Sequence, residues 1–249
     1  MPYYNQYRQP IGDEIAEWQG AQLPAKTPIS GQYCRLEPIS VAAHSQDLFT
    51  ALNQAEDKRD WTYLLSGPFE SLTEYQAYLT GLETLSDPLH FAIIDRTTQR
   101  AIGSIALMRI AASAGVIEIG SVTYSPQLKR TRLATEAITL LLHYTITELG
   151  YRRVEWKCDS LNQPSRNAAL RLGFTFEGVF RQALVVRGHN RDTAWFSIID
   201  RDYPALRAAY LLWLSAENFD ATGQQRQKLS EFIARTQVVE TTRSPALHP

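Results

Sequence analysis

The stretch Glu118–Gly150, EIGSVTYSPQLKRTRLATEAITLLLHYTITELG, reads as a strand, a basic turn and a helix, and the rest of the chain is organised around it. Ile117 and Ile119 alternate with Glu118 and Gly120 as a pleated segment does. Pro126 has no N–H to give to a ladder and stops the strand. From Ala134 onward the period changes. Ala134, Ala137, Ile138, Leu141, Thr145 and Leu149 keep the i, i+3, i+4, i+7 spacing of one helix face, with Gly150 placed to end it. Leu133, Leu140 and Tyr144 add a second apolar row, so the helix is predicted to lie largely buried against a sheet.

Between strand and helix stand Lys129, Arg130, Thr131 and Arg132, three of them cations, at a helix N-terminus. Free backbone N–H groups, the positive end of the helix dipole and guanidinium groups together favour a phosphate there. Charge alone equally allows a solvated basic turn. SPQLKRTRLATEA before a long helix, followed by VEWKCDSLNQPSRNAALRLGFTFEG, resembles the GNAT superfamily of acyl-CoA N-acyltransferases. Within it the likeness is to the Rim-type branch, which includes enzymes that acetylate ribosomal-protein N-termini. It runs from Gln32 to Asp200, and the two motifs at this separation are more specific than either alone.

The resemblance implies acetyl-CoA as co-substrate and an amine acceptor, attacked directly in a ternary complex. It places Lys129, Arg130, Thr131, Arg132, Leu133 and Ala134 on the pyrophosphate loop, with Thr135 beside them at the helix entry. Arg132 stands where the family usually has glycine, a residue that lets the backbone approach phosphate closely. Its side chain either supports the phosphates by charge or obstructs the cradle. Gly120, Ser121, Val122 and Thr123 fall where a splayed strand flanks the pantetheine arm, with N–H groups near Val122 facing the developing oxyanion. Asn162 matches an asparagine on the CoA arm. Ala169 replaces the tyrosine that usually protonates the departing thiolate, so Ser165 or a water would substitute. Ser165 is otherwise an ordinary first-turn helix residue. Glu118 interrupts an apolar strand and is either the base that accepts the amine proton or a paired structural carboxylate. Trp61, Tyr63 and Phe69 are candidates for the acceptor cleft, with core packing as the alternative for each. A non-catalytic acyl-CoA-binding module is the second functional reading.

Composition narrows the rest. The 249 residues are 44% hydrophobic, enough for one well-packed domain with additions or for two small ones. A formal net charge of -1 argues against direct nucleic-acid binding. Cys34 and Cys158 are far apart in apolar surroundings, which suits buried thiols in a reducing compartment, and neither makes a metal-ligand spacing. The five histidines form no metal spacing and are expected in turns or on the surface. No apolar run approaches membrane-spanning length, so a cytoplasmic protein without metal is expected. The dinucleotide and P-loop fingerprints are absent.

Along the chain, residues 1–30 read as an extended arm anchored by Trp18, and residues 31–200 as the acetyltransferase-like domain. Within it come a strand at Tyr33–Pro38, helices at Val41–Asn53 and Ser71–Leu85, strands at His90–Asp95, Ile102–Ile110, Val116–Tyr124 and Arg153–Asp159, a helix at Asn162–Leu172, and a hairpin. That order predicts an α/β (α+β) fold: a mixed, mostly antiparallel sheet with helices on both faces. Residues 201–236 form a C-terminal helical extension, placed either to cover an oligomer interface or to close the cleft, and residues 237–249 a disordered tail.

Overall fold

Capping and turn residues set most element boundaries in the computed structural model, which describes residues 3–243, with side chains through residue 236. The chain runs β1 (Tyr3–Tyr4), β2 (Pro10–Ile11), β3 (Ile29–Ser30), β4 (Cys34–Pro38), α1 (Val41–Leu52), α2 (Leu72–Glu83), β5 (Leu89–Asp95), β6 (Ala101–Ala111) and β7 (Val116–Tyr124). It continues through α3 (Arg132–His143), β8 (Arg153–Asp159), α4 (Gln163–Arg171), β9 (Thr175–Val186), β10 (His189–Ile199), α5 (Tyr203–Leu214) and α6 (Leu229–Arg243). Side-chain oxygens of Ser71, Thr131 and Asn162 accept the N–H three residues on and start α2, α3 and α4. Ser40 sits before α1 without capping it. Its own N–H donates to His44 Nδ1 at 3.0 Å instead.

β1 and β2 form a small separate hairpin, and the other eight strands form one sheet in the order β3-β4-β5-β6-β7-β8-β10-β9. Neighbours are antiparallel except β7 and β8, which the α3 crossover makes parallel. One face carries the larger core, in which Phe91, Ile105, Ile117 and Phe196 meet Leu141 of α3 and Tyr210 of α5. The other face is covered by α1 and α2 through Leu48, Tyr75 and Leu79, and this second core reaches no further along the sheet than β6. The mixed sheet with helices on both faces is the architecture the sequence predicts.

Three features differ from the sequence reading. The helix face reckoned to Leu149 is α-helical only to His143. A π-helical turn, Tyr144–Glu148, follows, with Leu149 N–H donating to the Tyr144 carbonyl at 3.0 Å and Gly150 at φ +79°. His44 and His90 are buried, where surface or turn positions were expected, because each lies on the α1/α2 side of the sheet. The segment expected to be disordered is helical as far as Arg243, and residues 244–249 of it lie outside the described residues.

Two contacts hold the edge of the domain to its centre. The buried Glu136 carboxylate accepts the N–H groups of Gln32, Tyr33 and Cys34, each at 2.7 Å, and so pins the entry to β4 onto α3. Gly31 is required there, since a Cβ would lie 2.6 Å from the Glu136 carboxyl carbon. Trp18 Nε1 donates to the Ser113 carbonyl at 2.8 Å and anchors the N-terminal segment. Cys34 and Cys158 are buried free thiols. Among the described residues no helix is long and apolar enough to cross a membrane.

Candidate active site

β7 and β8 pair only at Val116–Glu118 with Arg153–Glu155 and then part company. On its other side β7 carries a bulge: Ser104 pairs with Thr123 and Ala106 with Gly120, so Ser121 and Val122 together oppose Ile105. Ser121 takes φ +49°, a left-handed conformation rarely adopted by a side-chain-bearing residue. The wedge between the strands opens into a cleft of about 1900 Å³, roomy beside the ~300–1,000 Å³ of common small-molecule sites. Gly120 to Thr123 line it. Gly120 is needed for close packing, because a Cβ there would lie 2.6 Å from Met108 Sδ and 3.1 Å from Glu118 Oε1.

The wedge leads to the N-terminus of α3. Thr131 Oγ1 receives the Ala134 N–H at 3.2 Å, and Arg130 turns the chain at φ +61°. Arg132 and Leu133 begin the helix, where an N–H has no intrahelical acceptor. Three side chains of the basic turn do different things. Lys129 pairs with Asp60, and Thr131 Oγ1 donates to the Leu128 carbonyl. The Arg132 guanidinium lies 4.0 Å from the ring centroid of Tyr33 and 5.4 Å from that of Phe219, a cation–π arrangement. Leu133 packs against the larger core and Ala134 is buried. Thr135 is buried and its Oγ1 receives Arg171 Nη1 at 3.1 Å.

α4 closes the opposite wall. The Asn162 side-chain oxygen is engaged as the helix cap, accepting the Ser165 N–H at 3.2 Å. Ser165 Oγ receives Trp156 Nε1–H at 3.0 Å, so its own hydrogen remains to give. Ala169 is fully buried in the core, and its methyl group has no proton to donate.

Glu118 stands at the point where the strands part, 5% exposed, and its Oε2 lies 3.0 Å from Lys157 Nζ and 3.1 Å from Arg109 Nε. Both are ion pairs rather than aligned hydrogen bonds. Lys157 also meets Glu155 at 2.6 Å, Glu155 meets Arg153, and Arg153 meets Glu177, so opposite charges alternate along the sheet. Burial raises the Glu118 carboxyl above its ordinary range, with Lys157 and Arg109 pulling the other way. The pairing and the position on the cleft wall occur in one side chain.

The profile of the acetyltransferase (GNAT) domain matches residues 34–175, the span that contains the wedge, the α3 turn and α4. The chain belongs to the GNAT acetyltransferase family. A GCN5-related N-acetyltransferase from Brucella melitensis is 45% identical, with a TM-score of 0.86 over 88% of this chain and 100% of that one. A probable GNAT-family acetyltransferase from Chromobacterium violaceum is 39% identical, with a TM-score of 0.73 over 79% of this chain and 98% of its own. An uncharacterised N-acetyltransferase of Bacillus licheniformis, p20, is 28% identical over 148 residues, which are 57% of this chain and 80% of p20.

The GNAT domain brings together most of the residues singled out from sequence, but not all. Trp61 and Tyr63 line the cleft, and Tyr63 Oη donates across it to the Leu161 carbonyl at 3.3 Å. Phe69 does not line it. Its ring packs 5.5 Å from Trp61, 5.2 Å from Tyr75 and 4.8 Å from Tyr78, so apolar burial against α2 decides its place. Sequence reasoning missed His90, which lines the cleft in register with Ala106, itself opposite Gly120. Burial pushes its imidazole down to about 4, so it is neutral at pH 7. It also missed Arg187. In the turn between β9 and β10, Arg187 donates to the carbonyls of Trp61, Leu64, Ser66 and Gly67 and holds the loop that carries Tyr63. Trp213, Phe219, Gln224 and Gln225 of the C-terminal extension line the cleft as well. No local motif announces any of these, since each is brought in by strand register or by a long-range contact.

Proposed function

We propose that this GNAT protein transfers the acetyl group of acetyl-CoA to a primary amine by direct attack in a ternary complex. The observation that carries the reading is the wedge between β7 and β8: Glu118 stands where it begins, the bulged segment Ser121–Val122 of β7 lines it, and the open amides of α3 lie beyond. The chain's own residues fit the co-substrate. Backbone groups of Gly120 to Thr123 meet the pantetheine arm, and the first-turn amides of α3 with Arg130, Thr131 and Arg132 meet the pyrophosphate. Asn162 shapes the wall by capping α4. Bound acetyl-CoA supplies an activated acyl carbon.

Glu118 takes the proton of the attacking amine, directly or through a water, because burial favours its protonated form while its cleft position keeps it reachable. Ser165, whose oxygen accepts the Trp156 N–H, offers its hydroxyl hydrogen to the departing thiolate. Backbone N–H groups at the Ser121–Val122 bulge favour the negative charge that develops on the acyl oxygen. Tyr63 and Trp61 bound the acceptor. The Rim-type reading, with a protein N-terminus among the acceptors, rests on the two sequence motifs.

Titration calorimetry with CoA, followed by a thiol-release assay on a panel of amines with product masses, tests the proposal. Binding of CoA with acetyl transfer to an amine is expected. Absence of heat and of thermal stabilisation at millimolar CoA overturns the reading, and binding without transfer to any amine leaves a non-catalytic CoA module. Arg132→Glu is expected to weaken CoA binding, since it places a carboxylate beside the phosphates.

A further inference from the structure

The two carboxylate oxygens of Glu118 have different surroundings. Oε2 is reached by both cations, Lys157 Nζ at 3.0 Å and Arg109 Nε at 3.1 Å, and is closed to solvent. Oε1 lies on the Gly120 side, where an added Cβ would stand only 3.1 Å from it. The last β7–β8 pair joins Glu118 to Glu155, so Gly120 already belongs to the wedge and lines the cleft. One oxygen is thus held by charge, and the other is directed past the last pair toward the segment where β7 stands free of β8.

The two cations are not equivalent. The Arg109 side chain is 57% exposed and screened by water, whereas that of Lys157 is 5% exposed and acts at a lower local dielectric. Lys157 stands on β8 two residues beyond the last pair, so it reaches Glu118 from the strand that has parted from β7. Glu155 at 2.6 Å and the face of Trp195, 3.8 Å from Nζ to the ring centroid, fix it there. Arg153 at 2.9 Å compensates Glu155 in turn. Burial raises the Glu118 carboxyl; of the charges around it Lys157 lowers it most, then Arg109, while Glu155 raises it.

The other titratable groups on this face are engaged elsewhere or uncharged. Asp87 accepts the N–H groups of Arg109 and Ile110, Asp159 that of Leu161, and Asp192 that of Gln182. The Tyr78 hydroxyl of α2 receives Ser66, and His90 of β5 is neutral at pH 7. Arg191 of β10 lies four residues along from Trp195, about 14 Å away at ~3.4 Å per residue.

We infer that Lys157 is a positioning residue for the acetyl transfer: it holds Glu118 as a carboxylate through Oε2 and leaves Oε1, beside Gly120, to receive the amine proton. This rests on the acetyl-transfer reading above. As the bond from nitrogen to the acyl carbon forms, an N–H bond of the amine breaks and its proton passes to Oε1, directly or through a water. Glu118 becomes a neutral carboxyl, and Lys157 keeps Glu155 as its counter-charge. Without Lys157, burial would favour the protonated carboxyl, which has no capacity to accept that proton.

The test is the pH profile of kcat/KM for one amine in the parent, Lys157→Met, Lys157→Arg and Glu155→Gln. The amine's own ionisation contributes the same slope to all four and cancels in the ratio to the parent. The base works when ionised, so a raised Glu118 pKa moves the acidic limb to higher pH. In Lys157→Met the limb should rise by about one pH unit or more, and in Lys157→Arg it should stay within about half a unit of the parent. Glu155→Gln removes the anion that shares Lys157, so its limb should move the opposite way, to lower pH. A lysine with a purely structural role predicts an equal loss at every pH and a limb that stays in place.

Infrared difference titration of the protonated Glu118 carboxyl, recognised by its absence in Glu118→Gln, reads the same midpoint without turnover and should follow the same order. A limb and midpoint that do not move in either Lys157→Met or Glu155→Gln overturn the inference. Should Lys157→Met not fold, Glu155→Gln against the parent decides alone. A Glu118→Gln variant that retains the parent's acidic limb overturns the base reading instead, so the two failures are distinguishable.

Discussion

Glu118→Gln separates the base from the structural carboxylate, and the geometry sets what each role costs. If Glu118 accepts the amine proton, the substitution keeps shape and removes basicity, and kcat/KM at neutral pH should fall by about 10²-fold or more, roughly 2.7 kcal/mol of barrier. The stability cost should be small. Lys157 retains Glu155 at 2.6 Å, and Arg109 is 57% exposed and regains water, so neither cation is left stranded. The burial cost of the carboxylate is also lifted. Its folded pKa is raised above the ordinary value of 4.5, so ionisation costs stability once the pH rises through that raised pKa, and a neutral amide does not pay it. A net change within about 1–2 kcal/mol, a few degrees of Tm for a chain of this size, is expected, against ~3–5 kcal/mol for an orphaned buried charge. The assay is the pH profile of kcat/KM for the amine, measured at subsaturating amine, alongside calorimetry with CoA and a thermal melt. The parent should gain activity as the carboxyl ionises, the variant should lack that limb, and the deficit should narrow at high pH as the amine arrives neutral. A folded variant whose rate stays within about twofold of the parent from pH 6 to 9 refutes the base assignment.

Two further outcomes concern stability. Glu136→Gln replaces a carboxylate that accepts three N–H groups with an amide whose NH2 faces donors, and should cost about 3 kcal/mol, read as a fall in the urea midpoint; an unchanged midpoint would mean that the β4 entry is held elsewhere. His90 is buried neutral with its pKa lowered from 6.5 to about 4, so between those values the unfolded chain binds the proton and the folded one does not. Stability should fall on acidification from pH 7 to 5 by up to about 2 kcal/mol from this group, and His90→Gln should remove that part of the slope. Parallel parent and variant stability–pH curves would show that His90 titrates normally.

The sequence by itself determined most of the elements and their order, because strand alternation, helix periodicity and Gly150 as a stop are local signals. The basic turn and the second motif were legible for the same reason, and they located the cleft wall from Gly120 to Thr135. Only the tertiary structure decided what the side chains do. Arg132 lies over Tyr33, ninety-nine residues away by number, Glu118 is paired by Arg109 and Lys157 from two neighbouring strands, and Phe69 is drawn from the cleft into an aromatic core. His90 reaches the site through strand register and Arg187 through hydrogen bonds to a distant loop, and both partners are set by the whole sheet and not by nearby residues. The end of α3 shows the same division: the apolar spacing continues to Leu149, but where the last turns widen from α to π depends on packing that no local pattern encodes.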